Sequence, residues 1–135
     1  MTNAEAFAAV ALAAVACDGT LGRDEAHALR RQLEYRTPYS NRSEQEMADL
    51  FDQLLKMLRQ DGVDGLLDKA LPALTPPQQE TALAVATQLV YADREVTTEE
   101  SLFLEKLAAK LDLAEGQASM VVQAVAALNR DSLAN

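Results

Sequence analysis

Four carboxylates recur at one spacing in this chain: Asp18 with Glu25, and Asp93 with Glu100, each Glu seven residues after its Asp. Each Asp closes an apolar stretch, and each Glu lies just inside the polar segment that follows. Carboxylates at a helix–loop–helix turn can do two kinds of work. They can accept backbone N–H groups, as Asx-turns and capping boxes. They can also join loop carbonyls in holding a hard cation such as Ca²⁺ or Mg²⁺. An Asp just beyond a helix C-terminus opposes the macrodipole, at about 0.3–1 kcal/mol. Something must offset that cost: backbone N–H groups of the next four residues in the first reading, a cation in the second. The first loop sets Asp18, Thr20 and Gly22 at alternate positions but lacks the acidic density and terminal Glu of an EF-hand. Any cation site here is therefore weak.

Other reactive groups are few. The single histidine, His27, stands opposite Leu102 in the repeat described next and is expected as a half-buried packing residue. The single cysteine, Cys17, answers to Ala92 and reads as a small buried thiol. One His and one Cys assemble neither a catalytic triad nor a zinc set. Arg23, Arg30, Arg31 and Arg36 form a basic strip, expected as a solvated face paired with Glu34 and neighbouring acids.

The acid pairs belong to a longer internal repeat at an offset of 75 residues. Ala9, Val10, Ala11, Val15, Asp18, Glu25 and Leu29 return as Ala84, Val85, Ala86, Val90, Asp93, Glu100 and Leu104. The repeated unit reads as apolar helix, Asp loop, second helix. Its two copies, about residues 4–36 and 79–111, are expected as helix hairpins related by a pseudo-two-fold axis.

A chain of 135 residues suits one domain, 1–135. The composition is 49% apolar but only 4% aromatic, with no Trp, which favours a helical core over a sheet. A lone Cys excludes an internal disulfide, so a reducing, cytoplasmic location is expected. The net charge of −9 excludes nucleic acid and anionic lipid as electrostatic partners, leaving cations and basic proteins. The apolar run 4–17 has no basic residues before it and carries Glu5 within it. Its equivalent at 82–92 lies mid-chain, so both read as core helices rather than a leader or a membrane insertion.

Periodicity predicts an all-α, antiparallel bundle of about seven helices. They cover about 4–17, 23–35, 43–60, 63–71, 76–92, 98–111 and 115–128, with a frayed tail at 129–135. Thr2/Glu5, Ser43/Glu46, Thr75/Gln78 and Thr97/Glu100 have capping-box spacing. The first helix, apolar nearly all round, should be surrounded; the last carries Val121, Ala124, Val125 and Leu128 on one face, with Val121 and Val125 expected in the core. The expected core also includes Ala9, Val10, Ala14, Leu29, Phe51, Leu54, Leu83, Ala86, Val90, Leu104 and Leu107.

Ala16-Cys17-Asp18-Gly19-Thr20-Leu21 followed by Glu25, and Tyr91-Ala92-Asp93-Arg94-Glu95-Val96 followed by Glu100, resemble a duplicated signature, Ala-Asp-Gly-x-hydrophobic-x-x-x-Glu. It is that of TerB-like proteins, the tellurite-resistance TerB family, and the resemblance runs over about 7–128. It implies a helical bundle that is non-enzymatic and cytoplasmic, working in stress- or metal-resistance assemblies that include membrane proteins. It also implies Asp18, Glu25, Asp93 and Glu100 as the positions of divalent-cation binding, with Ca²⁺ or Mg²⁺ the cofactor in question. Gly22 departs from the usual Ser or Thr cap, and Arg94 replaces the Gly present as Gly19. A cation beside Asp93 makes the second loop the weaker candidate. The function expected is binding or scaffolding with protein partners, a second copy of the chain included. The alternatives are a metal-assisted enzyme using paired carboxylates and a ligand-free helical oligomerisation module.

Overall fold

A computed structural model describes residues 1–19, 21–92 and 95–133. Among the described residues it has six α-helices and no strand: α1 (Asn3–Ala16), α2 (Arg23–Leu33), α3 (Glu44–Ala70), α4 (Pro76–Tyr91), α5 (Thr98–Lys110) and α6 (Gln117–Leu128). Short 3₁₀ turns lie at Tyr39–Asn41 and Leu71–Ala73. Four helices start where the sequence places their caps. Thr2, Ser43, Thr75 and Thr97 each accept the backbone N–H of the residue three on, whose side chain reaches back to the cap's own N–H. The Gly22 start of α2 has no side-chain cap.

The expected break at Gly62 is present: Glu44–Ala70 consists of two helical arms that meet at a kink there, counted here as one element, α3. Gly62 sits at φ 72° inside α3, a left-handed conformation natural to glycine, and the segment beyond it is the second arm of the same helix. The expected helix at 63–71 corresponds to the second arm of α3.

α1 is the axis of the molecule. Ten of its residues, Ala4, Ala6 and Ala8 through Val15, are buried. It packs on α3 and α4 above all, and also on α2 and α5. Alanine at most of these positions lets neighbours approach from every side. α4 is less enclosed, and its inner face carries Leu83, Ala86, Thr87 and Val90. The Thr87 hydroxyl donates to the Leu83 carbonyl at 2.7 Å, so this buried polar group costs little. Gln79, also buried, donates to Leu71 and Leu74 carbonyls and accepts the Asp112 N–H, tying the start of α4 to both flanking turns.

The structure corrects the sequence reading in three places. His27 is exposed on the outer side of α2, because Leu29 and Leu33 alone supply that helix's buried face. α6 contains no fully buried residue: Val121 and Val125 are half-buried, Ala124 is exposed, and Leu128 is 78% exposed. The reason is that α6 packs mainly on α4. Phe51 is likewise half-buried, whereas Leu54, one turn on, is fully buried.

Candidate functional site

The α1 C-terminus, the α3 kink and the α5 N-terminus meet at one end of the bundle. Cys17, Asp61, Asp64, Glu99, Leu102 and Lys106 line a shallow depression of about 380 Å³ there. The chain leaves α1 through a tight turn in which the Gly19 N–H donates to the Ala16 carbonyl at 3.0 Å. Gly19 takes φ 85°, so a side chain here would be strained even though open space surrounds the position. That turn exposes Asp18.

Cys17 reports what surrounds it. Its thiol donates to the Ala14 carbonyl at 3.3 Å and is half-buried. Burial, and then the negative charges of Glu100, Asp18 and Glu99, push its pKa from 9.0 to about 11. Two consequences follow. The thiol is protonated at neutral pH, which makes it a poorer nucleophile than an unperturbed cysteine. And carboxylates from the two sequence copies, Asp18 from the first and Glu100 from the second, act on one atom.

The sequence pairs Asp18 with Glu25, whereas in the structure the charges of Asp18 and Glu100 both raise the Cys17 pKa. Glu25 is exposed and folds its carboxylate back over Gly22, into the space a side chain there would need. Glu100 serves the α5 cap: its Oε1 accepts the Thr97 N–H at 3.0 Å, and its own N–H donates to Thr97 Oγ1 at 3.1 Å. The capping reading therefore holds for Glu100, with Oε2 left over. Asp93 and Arg94, with the hydrogen bond expected of Asp93, lie outside the described residues.

Neighbouring acids are neutralised internally. Lys69 meets Asp61 at 2.7 Å, Lys106 meets Asp64 at 3.5 Å and Lys110 meets Asp68 at 2.8 Å, stitching the second arm of α3 to itself and to α5. Among the described residues, no three of His, Cys, Asp and Glu gather closely enough to hold a metal ion. Nor do His27 and Cys17 supply a base and a nucleophile: one sits exposed on α2, the other is protonated. The basic strip is also divided. Arg30 forms a two-pronged pair with Glu44 of α3, at 3.0 and 3.2 Å, rather than with Glu34. Arg36, beyond α2, lies over the Phe7 ring.

Sequence reasoning missed two features. One is the company of Glu99 and Glu100 around Cys17, which depends on how α5 packs against α1. The other is the outer face of α6, where Met120 is 72% exposed beside Ala124, Ala127 and Leu128, with no charged residue between Gln117 and Leu128. The absence of charge over 117–128 is the signal in the sequence that marks this face. Among the described residues no helix is long and apolar enough to cross a membrane.

A family model described as tellurite resistance protein TerB matches residues 4–123 of the chain. No curated protein and no solved structure matches it at a significant level.

Proposed function

The chain belongs to the TerB family, and from that premise we propose a non-enzymatic binding and scaffold protein in a cytoplasmic tellurite- or stress-resistance assembly. The observation that carries this reading is the acidic end of the bundle, where Asp18 is exposed next to Cys17 and Glu99 of α5 lines the same depression as that thiol. Such an end offers negative charge, which suits recognition of a cation or a basic partner. In this reading the hairpins α1–α2 and α4–α5 are two copies of one unit, and Asp18, Glu25, Asp93 and Glu100 are its recognition carboxylates. A Ca²⁺ or Mg²⁺ ion held there has few ligands and binds weakly.

The bare face of α6 favours a protein partner as well, a second copy of the chain or a membrane-associated component among them. Large exposed apolar residues grouped on one helix mark contact surfaces more often than scattered ones do. The two surfaces can be separated by capture from the native cell. The wild-type chain is compared with Met120→Glu/Leu128→Glu and with Asp18→Asn/Glu100→Gln. The Gln preserves the α5 cap, as Gln78 does for α4, and Met120 and Leu128 are exposed, so both double variants keep the helical content of the wild type. The expected result is a partner retained by wild type and lost with one pair of substitutions. Recovery of the same proteins by all three chains would contradict the reading.

A further inference from the structure

A second cleft lies away from the carboxylates, where α1 and α4 both begin, about 20 Å along α1 from Cys17 at 1.5 Å per residue. It encloses about 700 Å³, within the roughly 300–1,000 Å³ typical of small-molecule sites. Ala4, Phe7, Pro38, Tyr39, Leu74 and Pro77 give it apolar walls. Its one charged lining residue is Arg36, and no acid lines it, although the chain carries 21 acids against 12 bases. Charge of this sign in this place runs against the surface as a whole.

Arg36 is held rather than free to wander. Its Nε donates to the Gln32 carbonyl at 3.1 Å, and its guanidinium carbon stands 5.6 Å from the Phe7 ring centroid. The two terminal nitrogens have no hydrogen-bond partner among the described residues. A planar fork fixed at its base, with its prongs unused, matches the two oxygens of a carboxylate. The Tyr39 hydroxyl is committed to the Ala4 carbonyl, so it stiffens the wall instead of competing for the ligand.

We propose that this cleft binds a small organic carboxylate with a compact apolar body, the carboxylate on Arg36 and the body against the Leu74 and Pro77 side. An inorganic oxyanion shares the charge but leaves the apolar walls wet. A neutral amide of the same shape fills the walls but leaves the guanidinium unpaired. The proposal does not depend on the function assigned to the carboxylate end.

The test is a titration of the isotopically labelled full chain with benzoate, benzamide and inorganic phosphate at matched ionic strength, read by amide chemical shifts. Benzoate should give saturable shifts at Ala4, Phe7, Tyr39 and Thr81, with benzamide and phosphate each at least about tenfold weaker. Arg36→Gln should weaken benzoate by at least about tenfold, the loss of a charge-assisted pair. Because Arg36 also packs on Phe7, a second variant leaves it untouched: Thr81→Phe fills the cleft from α4 and should likewise abolish the shifts. The proposal is overturned by benzamide or phosphate matching benzoate, by either variant binding as wild type does, or by no saturation below about 10 mM.

Discussion

Leu54→Ala should lower the unfolding free energy by about 2–5 kcal/mol, a large share of the roughly 5–15 kcal/mol that holds a domain folded. Leu54 is fully buried on the α3 face that packs on α1, and α1 is itself enclosed on every side. The truncation opens a cavity between two helices that cannot collapse without moving the centre of the bundle. The measurement is the urea midpoint, with the denaturant slope unchanged so that the shift reports stability alone. Leu128→Ala is the matched control. Leu128 is 78% exposed, so the same chemical change should stay within about 0.5 kcal/mol. Equal effects at the two positions would mean that α3 and α6 do not differ in burial as described.

The second large effect is on Cys17. Its pKa, raised from 9.0 to about 11 by burial and by Glu100, Asp18 and Glu99, cuts the thiolate present at pH 8 by about a hundredfold relative to the unfolded chain. The greater nucleophilicity of a more basic thiolate recovers about tenfold of that. Iodoacetamide should therefore alkylate the folded protein at least about tenfold more slowly than the denatured one at pH 8. The rate in the folded state should keep climbing toward pH 11. A rate curve that levels near pH 9, as for a free thiol, would contradict both the burial of the thiol and the influence of the acids on it. The same shift has a stability consequence. The folded state holds the thiol proton more tightly than the unfolded state does, so this contribution is fully present below about pH 9 and is lost as pH rises through about 11. Asp18→Asn should bring the folded pKa down toward 9 and flatten that fall.

What could be read from the sequence, and what could not, follows from whether a feature is local. Helix starts are local: a Ser or Thr with Glu or Gln three residues on satisfies its own backbone, and all four predicted capping boxes form. The enclosure of α1 was legible because apolar side chains on every face leave no side for water. α6 looks equally apolar and yet has no buried residue. Apolarity states what can be buried, but only packing supplies the neighbour that buries it. Gly62 was legible as a break, and the helical dihedrals are interrupted there. His27 was misread because its repeat mate Leu102 was assumed to be packed, and Leu102 is itself 50% exposed. For the carboxylates the spacing identified the residues without their groupings. Asp18 and Glu100 are 82 positions apart, and nothing in either turn announces that α5 begins beside the end of α1. The Arg36 cleft depends in the same way on two helix starts brought together by tertiary packing.

The central claim is that the duplicated acids work as one recognition end led by Asp18, and a divalent-cation titration tests it most directly. Ca²⁺ and Mg²⁺ are titrated at about 0.15 M ionic strength, so that the general attraction of an acidic chain for cations is screened. Wild type is compared with Asp18→Asn, Glu100→Gln and Asp93→Asn, each first shown to be folded. Weak, saturable binding should appear in wild type, vanish in Asp18→Asn, weaken in Glu100→Gln and survive in Asp93→Asn. Gly19, at φ 85°, leaves the first loop's backbone free to turn toward an ion, while Arg94 sets a positive charge next to Asp93. Loss of binding in Asp93→Asn with Asp18→Asn unaffected would contradict the account, and so would one response shared by all four chains.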